Sequence, residues 1–149
     1  MGLEAIEFVE NPEPRCPVIL LLDTSESMEG PPIEELNAGL ATFKYEVEKD
    51  ALAALRVEVS IITFGGDVQC LQDFKTIDEF VAPKLLPKGF SPMGGALEMA
   101  LDNLEARKDV YKRHGIPYYR PWLILITDGA PTDGMKWYEA GQSAQKLEE

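Results

Sequence analysis

The sequence predicts an α/β fold of three layers, with a mostly parallel sheet between two layers of helices. Short unbroken apolar runs alternate along the chain with longer segments of helical periodicity, which is the order expected of strands joined by crossover helices. Two of the apolar runs are followed by aspartate, at Asp23 and at Asp128. Because ligands of such sheets bind at the carboxyl ends of the parallel strands, function is expected at these two positions.

The first strand is predicted over residues 18–22, an apolar run of the length that suits a strand covered on both faces. A helix is predicted to begin at Pro31 and Pro32, because proline is well accommodated in the first turn of a helix. Its apolar residues recur at helical spacing, at Ile33, Leu36, Leu40, Phe43 and Val47. Strand and helix form the first unit of the layered fold.

A hairpin is predicted at the edge of the sheet. Residues 56–64 alternate in the manner of a strand, and residues 68–74 form a second strand-like run. The turn Gly65-Gly66-Asp67 joins the two runs directly, which is typical of an antiparallel pair. We therefore expect one antiparallel edge hairpin in an otherwise parallel sheet.

The second half of the chain predicts a helix, a loop, a strand and a further helix. The first of these helices starts after Ser91, and its apolar residues are Met93, Ala96, Leu97, Ala100, Leu101 and Leu104. Residues 109–121 are polar and aromatic and are interrupted by glycine and proline, which predicts an exposed loop. Residues 122–127 form the last apolar strand. A weaker helical pattern follows at Trp137, Ala140, Ala144 and Leu147.

The composition indicates one domain over residues 1–149 and excludes several classes of partner. With 26 acidic against 14 basic side chains, the formal net charge of −12 disfavours nucleic acid and anionic membrane surfaces. No apolar run approaches the roughly 20 residues of a membrane-spanning helix, and the amino terminus lacks the pattern of a secretory signal. Cys16 and Cys70 do not make a disulfide framework. These features predict a cytoplasmic location.

The segment after the first strand carries oxygen-bearing side chains in alternation. Asp23, Ser25 and Ser27 occupy every second position, so an extended backbone points all three in the same direction. Hard divalent cations such as Mg²⁺ prefer oxygen ligands in a near-octahedral array. Hydroxyl ligands leave most of the ion's charge available, and the carboxylates of Asp23 and Asp128 offset part of it. The segment therefore predicts a site for a divalent cation.

Three motifs occur in a fixed order: DTSESM at residues 23–28, SPMG at residues 91–94 and TDG at residues 127–129. Together they resemble the metal-ion-dependent adhesion site of von Willebrand factor A (VWA) domains, and the resemblance extends over nearly the whole chain. It implies a Rossmann-like, three-layer VWA fold. It also implies Mg²⁺, or alternatively Mn²⁺ or Ca²⁺, bound by Asp23, Ser25, Ser27, Ser91 and Asp128. The ion would bind a Glu or Asp carboxylate of a partner protein.

The sequence around the third motif narrows the resemblance. Residues 126–133, ITDGAPTD, are similar to bacterial TerY-like proteins of tellurite-resistance clusters, which implies a role in a stress system.

The sequence departs from the VWA pattern in two ways. Ser91 stands where the family usually has threonine, which keeps the hydroxyl but loses a methyl group that restricts its rotamer. VWA domains also continue with two more strands beyond the position of Asp128. We therefore expect either a domain truncated at its carboxyl terminus, without the last strands, or an edge strand at residues 122–127 that another chain covers. A homo-oligomer formed through this edge is one form of the second expectation.

Other interpretations of the same residues stay open. Asp23 and Asp128 are typical strand-end turn residues, and Ser91 ahead of a helix is a typical N-cap. A Mg²⁺-dependent phosphoryl-transfer enzyme of the haloacid-dehalogenase type also places aspartate after its first strand, but it needs a second aspartate where Ser25 stands. A metal-free VWA scaffold is the third alternative. The only histidine, His114, lies in an unrelated segment and no phosphate-loop motif is present, so we expect no enzyme.

Overall fold

The described part of the chain, residues 3–127 of a computed structural model, folds into a sheet with helices on both faces. The strands are β1 (Cys16–Asp23), β2 (Val57–Gly65), β3 (Asp67–Thr76) and β4 (Trp122–Ile126). The helices are α1 (Leu3–Glu10), α2 (Pro31–Glu48), α3 (Ala51–Arg56) and α4 (Met93–Arg113), and a short 3-10 turn spans Glu26–Met28. The predicted three-layer α/β fold is confirmed. The helix predicted from Trp137 to Leu147 lies outside the described residues.

The strand order of the sheet is β3-β2-β1-β4, with β1 parallel to both of its neighbours. β3 runs antiparallel to β2, so the predicted edge hairpin is confirmed. In the register of the sheet Asp23 pairs with Phe64, and Leu22 pairs with Ile126. The carboxyl ends of β1, β2 and β4 therefore meet at one edge of the sheet, where Asp23 is central.

Residues of β1 point alternately to the two faces of the sheet. Leu20 and Leu22 pack with buried residues of α2, whereas Ile19 and Leu21 pack with buried residues of α4. All four side chains are almost completely buried. Since the burial of each such side chain contributes about 1.5 to 3 kcal/mol, β1 is firmly held between the two helical layers.

The fold differs from the prediction in the segment at residues 109–121. α4 continues to Arg113, and Tyr111 is completely buried instead of lying in an exposed loop. Ile116, beyond the end of the helix, is buried as well. The prediction of an exposed loop is therefore wrong for this part, because its polar side chains were assumed to face water. The Tyr111 hydroxyl instead donates a hydrogen bond to the buried carboxylate of Glu58.

Two short helices, α1 and α3, were not predicted. α3 has no buried residues and lacks an extended apolar pattern, but the side chain of Asp50 caps it by accepting hydrogen bonds from the N–H groups of Leu52 and Ala53. α1 contributes Phe8, which is buried and packs edge-on against Tyr111. α3 is stabilised by its cap and α1 by its contact with a distant residue, and the apolar spacing in the sequence indicated neither helix.

A buried cluster of charged groups joins α1, α4 and the amino ends of the strands. Glu58 is completely buried and accepts hydrogen bonds from Arg15 Nε at 2.9 Å and from Arg107 Nε and Nη2 at 2.8 and 2.7 Å. Burial by itself would raise the pKa of Glu58, but the hydrogen bonds and charges of Arg107, Tyr111 and Arg15 together hold that pKa below its ordinary value. The cluster closes the end of the sheet opposite to Asp23.

β4 is the outermost strand of the sheet on its side, within the described residues. Trp122 is 63% exposed, and Leu125 and Ile126 are also partly open to solvent. An apolar edge of this kind favours association. The expectations that another chain covers this edge, or that the last strands are absent, stay predictions.

Both cysteines, Cys16 and Cys70, are free thiols. None of the helices found in residues 3–127 is both long enough and apolar enough to cross a membrane. The cellular location of the chain stays a prediction.

Replacement of Glu58 by glutamine should destabilise the fold by about 3 to 5 kcal/mol, because the buried guanidinium of Arg15 would lose its counter-charge and that of Arg107 would keep only Glu7. Urea denaturation at neutral pH measures this change. Glu48→Gln is the matched control, because Glu48 forms a largely exposed ion pair with Lys44 and should contribute no more than about 1 kcal/mol.

The stability difference between the native chain and the Glu58→Gln variant should depend on pH. Since the pKa of Glu58 is lowered on folding, its contribution is present above the ordinary value of 4.5 and is lost as the pH falls through the lower folded value. The difference in stability between the native chain and Glu58→Gln should therefore shrink below about pH 4.5. Equal stability of the two proteins at neutral pH would contradict the structural role assigned to the cluster.

Candidate metal centre

Asp23 is the last residue of β1, and its side chain is completely buried at the carboxyl edge of the sheet. Its Oδ1 accepts a hydrogen bond of 2.9 Å from the N–H of Ser25. Its Oδ2 accepts one of 2.6 Å from the hydroxyl of Thr127, and the hydroxyl of Ser91 lies 3.5 Å from the same atom. These groups fix the orientation of the carboxylate but do not use all of its acceptor positions.

Ser25 and Ser27 lie on the loop that leaves β1, with their hydroxyl oxygens 3.0 Å apart. Ser25 is extended and buried, and the 3-10 turn at Glu26–Met28 brings Ser27 back beside it. The buried side chain of Met28 anchors this turn in the core between the sheet and α2. Ser27 is exposed, so the group of hydroxyls is open to solvent on this side.

Ser91 lies just before α4 and is buried. The helix begins at Met93 with Pro92 as its N-cap and without a hydrogen bond from a side-chain cap. The N-cap position of α4 is therefore Pro92, one residue after Ser91. The hydroxyl of Ser91 belongs to the surroundings of Asp23.

The structure brings four of the five predicted site residues into one cluster, namely Asp23, Ser25, Ser27 and Ser91. The fifth, Asp128, lies outside the described residues. As metal ligands, all five stay predictions.

Thr127 is a further member of the cluster, to which the sequence analysis gave no role. The TDG motif predicted a site residue only at the aspartate that follows this threonine. The pairing of Leu22 with Ile126 places Thr127 directly beside Asp23, where its hydroxyl can donate. A hydroxyl residue one position after a strand, in register with the end of β1, is the signal that could have identified it.

The loops around the cluster are joined by backbone hydrogen bonds. The N–H of Lys88 donates to the carbonyl of Thr24 at 2.7 Å, and the N–H of Glu26 donates to the carbonyl of Gly89 at 2.9 Å. Gly65 allows this close packing, because a Cβ at this position would overlap the carbonyl and hydroxyl oxygens of Thr24. These contacts therefore fix the backbone that carries the hydroxyl groups.

The donor set fits a hard divalent cation. Ligand oxygens about 2.1 Å from an octahedral ion lie about 3.0 Å apart, and the hydroxyls of Ser25 and Ser27, which hydrogen-bond each other at 3.0 Å, are compatible with that spacing. In the described range 3–127, no three carboxylate, imidazole or thiol side chains converge on one point. A cation in this part of the chain would therefore depend on hydroxyl oxygens together with Asp23.

Comparison with protein families matches residues 18–149 to the model of the von Willebrand factor type A domain. No curated protein matches the chain.

Several solved structures share the fold. The pilus adhesin SpaC from Lactobacillus rhamnosus GG, in its open conformation, is 20% identical with a TM-score of 0.64 over 80% of this chain and 15% of its own. The ArnB paralog VWA2 from Sulfolobus acidocaldarius is 20% identical with a TM-score of 0.55, over 80% of this chain and 29% of its own.

A third structure contains a metal. Proximal thread matrix protein 1 from the mussel byssus, with a zinc-occupied MIDAS motif, is 17% identical with a TM-score of 0.56, over 91% of this chain and 34% of its own. At these identities the similarities show the fold. The chain spans between 15% and 34% of the length of the three proteins.

The close packing of Gly65 against Thr24 can be tested by a substitution at Gly65. Gly65→Ala should destabilise the chain by about 2 kcal/mol or more, because the new Cβ displaces the backbone of Thr24 between Asp23 and Ser25. The control is Gly39→Ala, at an exposed position of α2 where an added Cβ meets nothing within 4 Å. That change should stabilise the chain by up to about 1 kcal/mol. If thermal denaturation shows both variants equally stable, the packing argument is wrong.

Proposed function

Because the chain belongs to the von Willebrand factor type A domain family, we propose that it is a metal-dependent protein-interaction module. Domains of this family commonly mediate protein–protein interactions and are typically not enzymes. In the proposal, a divalent cation is held by Asp23, Ser25, Ser27, Ser91 and Asp128. The cation, which is Mg²⁺, Mn²⁺ or Ca²⁺, takes an acidic side chain of a partner protein.

The observation that supports this proposal best is the group of neutral hydroxyls around one buried carboxylate. Ser25, Ser91 and Thr127 surround the end of β1, and in residues 3–127 no lysine or arginine pairs with Asp23. Hydroxyl ligands do not neutralise a bound cation, so most of its double charge stays available for a further anionic ligand. A carboxylate on another protein is such a ligand.

The proposed direction from which the partner approaches is supported by the solvent exposure on one side of the cluster. Ser27 is exposed, whereas Asp23, Ser25 and Ser91 are buried. A ligand from solvent therefore reaches the cluster over Ser27. Thr127, which donates to Asp23, would act as a positioning residue by holding one carboxylate oxygen in place.

The zinc-bearing relative from the mussel byssus supports the presence of a metal by analogy. It belongs to the same fold and carries zinc in its MIDAS motif. Its identity of 17% limits this support to the ability of the fold to hold a divalent ion. The preference for a hard cation in the present chain rests on its oxygen donors.

The two alternatives have weaker support. For phosphoryl transfer of the haloacid-dehalogenase type, Ser25 stands where an aspartate would have to donate and accept a proton. In a metal-free scaffold the hydroxyls of Ser25 and Ser27 would simply hydrogen-bond each other at 3.0 Å, but the buried carboxylate of Asp23 would have no counter-charge among residues 3–127. The metal-dependent module accounts for this arrangement.

The cellular setting is also part of the proposal. The segment ITDGAPTD at residues 126–133 supports kinship with bacterial TerY-like proteins and a role in a tellurite-resistance or stress system. The proposed location is cytoplasmic. The net charge of −12 supports a protein partner in preference to nucleic acid or a membrane surface.

The proposal predicts that the chain binds Mg²⁺ or Mn²⁺ and that Ser25→Ala combined with Ser27→Ala weakens this binding by at least about tenfold. Isothermal titration of each metal into the two proteins measures the difference. Ser60→Ala is the matched control, because Ser60 is a buried serine of β2 that donates to the carbonyl of Gln72 away from the cluster. Equal heats from the native chain and the double variant would instead favour the metal-free scaffold.

A second prediction concerns catalysis. The chain with saturating Mg²⁺ should hydrolyse a generic phosphoester, such as p-nitrophenyl phosphate, no faster than the Asp23→Asn variant does. A phosphotransfer enzyme would lose its nucleophile in this variant, so a rate that is present in the native chain and absent in the variant would favour the enzyme.

A further inference from the structure

A segment of irregular backbone beside the cluster exposes every second side chain. Lys84, Leu86, Lys88 and Phe90 are all exposed, with Leu86 at 72% and Phe90 at 79%, whereas Leu85 between them is buried. The segment is neither helix nor strand, and Gly89, with a φ of +67°, bends it between Lys88 and Phe90. We call these four residues the exposed stripe. It ends at Ser91, where the candidate metal centre begins.

The backbone of the exposed stripe is fixed along its length. Asn37 of α2 donates to the carbonyl of Leu85 at 3.0 Å and accepts from its N–H at 2.7 Å. The N–H of Lys88 donates to Thr24, and the carbonyl of Phe90 accepts from the N–H of Gly66 at 2.8 Å. A surface that is already ordered loses little conformational entropy when a partner binds. The exposed stripe therefore has the rigidity expected of a recognition surface.

The charge of the exposed stripe contrasts with that of the whole chain. Lys84 and Lys88 form no ion pair with any carboxylate of the described residues, although the chain carries a net charge of −12. The two lysines and Leu86 line a groove of about 210 Å³, which also has Asp67 in its wall. Thr24 lines the same groove and lies in sequence between Asp23 and Ser25, so the groove adjoins the metal centre.

We propose that the exposed stripe is a second recognition element for the partner of the metal centre, and that it selects an extended segment with a second acidic residue three positions from the first and an apolar residue beside it. This inference rests on the proposed function. One carboxylate of the partner reaches the ion, and a second lies between Lys84 and Lys88. An apolar side chain of the partner packs on Leu86 and Phe90. Charge complementarity selects an acidic partner, because the two lysines have no carboxylate of their own among residues 3–127.

The spacing along the stripe sets the length of the partner segment. Lys88 lies three residues before Ser91, which separates the two by at most about 10 Å, so a second acid within that distance of the first can reach its ammonium group. Suitable probes are blocked synthetic heptapeptides with a Glu-x-x-Glu pattern in a glycine and serine background. In the glutamine peptide, glutamine replaces the second glutamate. In the leucine peptide, leucine replaces the glycine next to the second glutamate. The Glu-x-x-Glu peptide that keeps this glycine is the glycine peptide. Affinities are measured from the backbone amide NMR shifts of the labelled chain, in Mg²⁺ and in EDTA.

The native chain should bind the Glu-x-x-Glu peptide about tenfold more tightly than the glutamine peptide in Mg²⁺, since each exposed charge pair contributes a factor of about two to five. Lys84→Glu combined with Lys88→Glu should abolish this preference. The control is Lys75→Glu combined with Lys112→Glu, which changes the net charge equally at exposed lysines outside the stripe. This control should keep the preference, and added salt should reduce it.

The apolar half of the proposal has its own test. Leu86→Ser combined with Phe90→Ser should weaken binding of the leucine peptide by about threefold or more, without changing binding of the glycine peptide. Val81→Ser is the control, because Val81 is exposed to the same extent as Leu86 but lies outside the stripe. An equal effect of the control on the leucine peptide would overturn this half.

Titration with Mg²⁺ alone separates this inference from the proposed function. If Mg²⁺ and the glutamine peptide bind but the second glutamate adds no affinity, the role of the exposed stripe is refuted and the proposed function stands. If the chain binds no Mg²⁺ but keeps a lysine-dependent preference for the Glu-x-x-Glu peptide in EDTA, the proposed function fails and the stripe remains as an acid-binding surface.

Discussion

The structure depends on the parallel register that β1 shares with both of its neighbours. Because Asp23 pairs with Phe64 and Leu22 pairs with Ile126, the ends of three strands are level at one edge of the sheet. This alignment brings Thr127 within hydrogen-bond distance of Asp23. A shift of a single residue in β1 would also turn its core residues to the opposite faces, so the packing of both helical layers enforces the register.

A buried carboxylate lies at each end of the sheet, and the two carboxylates have different kinds of partner. At the amino end, Glu58 is paired with Arg15 and Arg107, and its charge is compensated within the fold. At the carboxyl end, the described partners of Asp23 are hydroxyl and N–H groups, which orient the carboxylate without neutralising it. Since a buried charge is costly unless it is compensated, the second arrangement favours the uptake of a cation. The first arrangement stabilises the fold, and the second leaves the charge of Asp23 without a counter-charge among the described residues.

The proposed interaction combines one strong contact with several weaker ones. An ion held mainly by neutral ligands would dominate the affinity for a partner's carboxylate, but it would not distinguish one acidic segment from another. The exposed stripe from Lys84 to Phe90 adds charge and apolar surface at a fixed distance from the ion. The hydrogen bonds of Asn37 and Gly66 keep that distance constant. Selectivity would then come from the spacing of the partner's side chains.

The sequence by itself determined the α/β layers, the hairpin at Gly65 and the cluster residues Asp23, Ser25 and Ser27. Each of these follows from periodicity, turn chemistry or spacing within a few positions, which are properties of neighbouring residues. Only the tertiary structure revealed the burial of Tyr111 and the hydrogen bond of Thr127, because these depend on partners 53 and 104 residues away in the chain. Polar side chains in a sequence indicate water or a buried partner equally well, and only packing decides between them.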